Sequence, residues 1–126
     1  MKARGTDFVL YEVADLERSL AFYRDLLGLE VETCLAEYSW AELTATPTTL
    51  ALFDPKAMRP GAAPRTGGAT VFLAVEDLKA AVEELRGRGV QVLVEPIDTP
   101  VCLFAVVGDP DGNAVGLHQR KDGTWG

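Results

Sequence analysis

VADLERSLAFYRDLLGLEV, residues 13–31, returns in outline as VEDLKAAVEELRGRGVQV, residues 75–92. Asp15 matches Asp77, Leu16 matches Leu78, Leu20 matches Val82, Tyr23 matches Leu85 and Arg24 matches Arg86, each 62 positions apart; Gly28 then matches Gly89, and Val31 matches Val92, at 61. The offset is about half of the 126-residue chain. A duplicated unit of about sixty residues is the simplest reading.

Working outward, each copy opens on an apolar strand pattern, Phe8 to Val13 and Thr70 to Val75, and then meets an Asp suited to cap a helix. In the first helix Leu16, Leu20, Tyr23 and Leu27 form one apolar stripe; Leu78, Ala81, Val82 and Leu85 do so in the second. Gly28 and the Gly87 to Gly89 pair supply the left-handed residue that ends many helices. Three β-type runs follow each helix: Leu29 to Ala36, Ser39 to Thr44 and Thr49 to Phe53, then Val90 to Pro96, Val101 to Val107 and Ala114 to Gln119. The chain thus reads as one domain of two βαβββ modules, about 5–54 and 68–120. The Pro- and Gly-rich residues 55–67 connect them. DPDGN, residues 109–113, has the composition of a tight turn.

Composition narrows the function. The chain is 48% apolar and 25% charged, as in ordinary globular domains, and can bury enough surface to fold without disulfides or a structural metal. A net charge of −7 leaves no basic stripe, so no nucleic-acid partner is expected. No apolar run reaches membrane-spanning length and no signal-like segment opens the chain, so no membrane association and a cytoplasmic location are expected. Cys34 and Cys102 read as small, buried free thiols. No P-loop, Rossmann glycine fingerprint, G-x-S-x-G elbow or H-E-x-x-H is present.

The helix-bearing segment of residues 13–31 together with VVGDPDGNAVGLHQ, residues 106–119, resembles the vicinal oxygen chelate superfamily, which includes glyoxalase I, extradiol dioxygenases, fosfomycin-modifying enzymes and bleomycin-resistance proteins. The resemblance runs from about Asp7 to His118. It implies an α+β fold: tandem βαβββ modules forming curled mixed sheets around a cavity, helices outside. It also implies a homodimer. In the family's enzymes a divalent metal is held by His, Gln or Glu from the first and last strands of each module. The matching positions here are Phe8, Thr70, Gly116 and, by a less certain alignment, Ala51. Only Thr70 carries a donor, and a lone hydroxyl is a weak ligand. No metal and no other cofactor are therefore expected.

Strand parity gives the residues that would face a ligand. They are Phe8 and Glu12 on the first strand, Tyr38, Trp40 and Glu42 on the third, Phe53 on the fourth, Thr70 and Phe72 on the fifth and His118 on the last. Aromatic rings with a few polar groups suit a small-molecule site. The expectation is a metal-independent binding protein, resembling bleomycin-resistance proteins, for a partly aromatic or cationic molecule. The alternative is a glyoxalase-like lyase or isomerase, or a dioxygenase, with an atypical metal set built from Glu12, Glu42 and His118.

Overall fold

The computed structural model describes residues 1–2, 4 and 6–125. It divides into two compact units, Met1–Thr66 and Gly67–Gly126. The first contains β1 (Val9–Glu12), α1 (Leu16–Leu20), β2 (Val31–Leu35), β3 (Trp40–Ala45) and β4 (Thr48–Phe53). The second contains β5 (Val71–Ala74), α2 (Leu78–Gly87), β6 (Val92–Asp98), β7 (Cys102–Gly108) and β8 (Ala114–Arg120). Each forms a four-stranded mixed sheet, ordered β1-β4-β3-β2 and β5-β8-β7-β6, in which the first strand lies parallel to the last. The parallel pair needs a crossover, and the helix supplies it. The fold is α+β, built of two βαβββ modules.

The repeated aspartates do the same work in both modules. Asp15 accepts the Arg18 N–H at 3.1 Å and Asp77 the Ala80 N–H at 3.0 Å, each satisfying an orphan donor of a first helical turn. Gly28 and Gly89, at φ +75° and +84°, take the left-handed conformation after the helices. Gly87 is still helical.

Along α2, Leu78, Val82 and Leu85 bury at spacings of four and three. The first helix departs from its expected stripe. After Leu20 the chain widens into a π-helical segment, Ala21–Leu26, where Leu27 N–H reaches Phe22 C=O at 3.0 Å. The wider turn brings both Phe22 and Tyr23 inward, with rings 4.9 Å apart, and leaves Leu27 half-buried. Phe22 thus belongs to a core the periodicity did not assign to it. Tyr11, Ala41, Leu43, Leu50 and Leu52 complete that core; Ala105, Val107, Val115 and Leu117 complete the one beneath α2.

The turn at residues 109–113 closes as its composition implies. Asp109 Oδ1 accepts the N–H groups of Asp111 and Asn113 at 2.9 and 2.7 Å, and its Oδ2 accepts Asn113 Nδ2 at 2.9 Å. The cysteines differ from expectation. Cys34 is exposed on β2, an edge strand, and Cys102 is half-buried with Sγ 3.2 Å from Thr99 Oγ1. No helix among the described residues is long and apolar enough to cross a membrane.

Candidate functional site

Side chains opposite one another on adjacent strands share a face. In the first sheet the registers place Leu10, Ala51, Glu42 and Thr33 in one row and Glu12, Phe53, Trp40 and Leu35 in the next. These rows occupy the face opposite the core. Trp40 is the centre of the aromatic cluster there: the Phe8 ring meets it edge-on at 5.5 Å and the Phe53 ring is tilted against it at 5.9 Å. Its indole Nε1–H donates to Glu42 Oε1 at 3.0 Å. Trp40, Glu42 and Phe53 are half-buried, while Phe8 remains 43% exposed. Four of the expected residues, Phe8, Trp40, Glu42 and Phe53, are brought together.

Two others from this module are placed differently. Tyr38 lies in a 3-10 turn, Ala36–Tyr38, and is 60% exposed. Ser39, at φ +49°, breaks the chain direction before β3 begins, so the alternation does not extend back to Tyr38. Glu12 is buried, and its carboxylate is already engaged. It accepts the Arg65 backbone N–H at 2.7 Å, Arg65 Nε at 3.0 Å and Arg65 Nη2 at 3.3 Å, with Arg59 Nη2 at 3.7 Å. The Arg65 side-chain hydrogen bond holds the Glu12 carboxyl below the usual carboxylate range, against the opposing effect of burial. Glu12 therefore anchors residues 59–65 to the sheet instead of presenting a free carboxylate. The Pro/Gly composition of that stretch hid the two arginines that do this.

In the second sheet Phe72, Gly116, Val106 and Val94 form one row, and Ala74, His118, Phe104 and Ile97 the next. Phe72 and His118 share the face away from the core, with ring centroids 6.5 Å apart and planes at 89°. Thr70 is exposed and precedes β5 instead of lying within it. On the other side of this sheet a broad depression of about 670 Å³ is lined by Glu76, Asp77, Lys79, Asp98, Leu103 and Gln119. Three of its polar groups are engaged: Lys121 Nζ bonds Asp98 at 2.5 Å, Gln119 Oε1 accepts the Leu78 N–H at 2.8 Å, and Asp77 caps α2.

Two sheets of order 1-4-3-2, each with its crossover helix, define the module that the comparisons then recognise. The family model of the Glyoxalase/Bleomycin resistance protein/Dioxygenase superfamily matches residues 5–117. The chain belongs to this superfamily. A lactoylglutathione lyase of Salmonella typhimurium is 29% identical over 126 residues, covering 93% of each chain. A lactoylglutathione lyase of Arabidopsis thaliana is 29% identical over 121 residues, which span 89% of this chain but only 43% of that relative. Among solved structures, a superfamily member from Sphaerobacter thermophilus has a TM-score of 0.74 at 25% identity, over 93% of this chain and 98% of the other.

As a glyoxalase-superfamily chain it can be tested for the divalent metal that the family implies. Phe8 offers a phenyl ring, Ala51 a buried methyl, Thr70 one exposed hydroxyl and Gly116 no side chain. The carboxylate next to Ala51 across the sheet is Glu42, whose Oε1 serves Trp40. Glu12, of the expected alternative set, serves Arg65. Among the described residues no group of three or more His, Cys, Asp or Glu stands ready to hold a metal ion. Borderline divalent ions need several nitrogen, oxygen or sulfur donors at once, so these residues do not fit the group.

Proposed function

We propose that this superfamily member is a metal-independent binding protein for a small, planar, partly aromatic or cationic molecule. One observation carries the reading: Trp40 is braced by Phe8 and Phe53 at 5.5 and 5.9 Å and tied to Glu42 at 3.0 Å. Braced rings lose little freedom when a planar ligand stacks on them, and the carboxylate beside the indole favours a positive charge. Phe72 and His118 offer a second aromatic and hydrogen-bonding pair on the other module's outward face. A homodimer and a cytoplasmic location go with this proposal.

The test uses the Trp125→Phe protein, in which Trp40 is the remaining tryptophan. Titration with ethidium, a planar cation, and with naphthoate, a planar anion, is followed by calorimetry and tryptophan emission. The reading predicts saturable binding of at least one, lost in Trp40→Ala. Saturable binding of neither contradicts it.

The second reading is a glyoxalase-like lyase, favoured by relatives that are named lactoylglutathione lyases and by an alignment covering 93% of the chain. The vacant donor positions weigh against shared metal chemistry. Lactoylglutathione lyase turnover by the purified protein, supplied in turn with Ni2+, Zn2+ and Mg2+, would establish it; absence of turnover with all three would remove it.

A further inference from the structure

We propose that Phe72 and Gly116 form one device that shuts the second module to a metal donor, which makes Phe72 the residue that determines what this face can bind. Gly116 lies in β8, an interior strand, where glycine has no side chain to pack and weakens the sheet. A close neighbour explains it. A Cβ added at Gly116 would stand 2.3 Å from Phe72 Cδ1 and 2.5 Å from both Cε1 and Cγ. Three consecutive ring atoms at nearly one distance mean that the ring lies against the glycine by its face. Contacts this short are repulsive, so any other residue at 116 must push the ring away.

The resemblance to the superfamily implies a metal ligand at this position, and here the first carbon of such a side chain would fall inside the ring's contact shell. The missing donor at 116 and the ring at 72 are thus one arrangement, and Glu placed at 116 cannot by itself supply a ligand while the ring stays where it is. His118 lies two residues beyond Gly116 on the same strand and shares its face, and Thr70 lies two residues before Phe72 in sequence, just ahead of β5. Phe72 itself is 51% exposed, so the ring presents an open surface to a stacking ligand while denying position 116 to a chelating one. This inference does not depend on ligand binding at Trp40.

The test introduces Thr70→His and Gly116→Glu together, which adds two donors to the native His118, with Phe72 either kept or changed to Ala. Saturable Ni2+ uptake measured by calorimetry is expected only with Phe72→Ala. Equal uptake in both proteins, or none in either, would overturn the proposal. A stability cycle covers variants that fold poorly: Gly116→Ala should lower the melting temperature by roughly 5 °C with Phe72 present and much less in Phe72→Ala. The same drop in both backgrounds would also overturn it.

Discussion

Trp40 and Glu42 stand two residues apart on β3, and the indole N–H of the first donates to the carboxylate of the second at 3.0 Å. The bond runs along the strand, so the tryptophan is fixed by its own neighbour in sequence as well as by rings from β4 and the segment before β1. Glu42→Leu leaves a half-buried indole donor without this acceptor. Removing one partner of a charge-assisted bond costs about 1.5–3 kcal/mol in stability. Urea unfolding should show that loss, and in the Trp125→Phe background the emission maximum of Trp40 should move.

The Glu12–Arg65 pair predicts a pH dependence. Arg65 holds the folded-state carboxyl below its unfolded value, so the pair stabilises the protein above the ordinary carboxylate range. That contribution declines as pH falls through the folded-state value. Glu12→Gln should be less stable than the parent at pH 7, and the difference should shrink at about pH 4 and below. Thermal melts of both proteins across that range measure it; a difference that stays constant with pH would contradict the pairing.

Phe8 and Phe22 separate site from core. Phe22 is 4% exposed and packed on Tyr23, so Phe22→Ala should cost about 3–5 kcal/mol. Phe8 is 43% exposed and meets Trp40 by an edge contact worth about 0.5–1.5 kcal/mol. Phe8→Ala should therefore leave the fold nearly intact while weakening any ligand held by Trp40. Paired denaturation curves and calorimetric titrations give both quantities.

Asp109 closes the last turn by accepting hydrogen bonds from the backbone N–H groups of Asp111 and Asn113 and from Asn113 Nδ2. Asp109→Ala leaves the buried Asn113 donors and the half-buried Asp111 N–H without their acceptor and should destabilise by about 2–4 kcal/mol. Asp109→Asn keeps one side-chain oxygen for the backbone N–H groups and should recover part of the loss. Equal stability of all three proteins would show that the turn does not depend on the carboxylate.

Local signals made most of the fold legible. The repeated Asp-Leu at 15–16 and 77–78 marks both helix starts, and period-two alternation puts Trp40 and Glu42 opposite in parity to the buried Ala41 and Leu43. What escaped was set by contacts distant in sequence or by backbone departures. Glu12 meets a partner 53 residues away in a stretch that reads as featureless. Phe72 and Gly116 are neighbours only once β5 and β8 are in register. Tyr38 was lost to a single left-handed serine and Phe22 to one wide helical turn, neither of which a strict period can foresee.

Whether ligand capture proceeds without a metal is decided by one titration. Ethidium or naphthoate, whichever the Trp125→Phe protein binds, is titrated in EDTA and again after dialysis against Ni2+ or Zn2+. The account predicts the same affinity in every case and its loss in Trp40→Ala. Binding that vanishes in EDTA and returns with one equivalent of metal would contradict it.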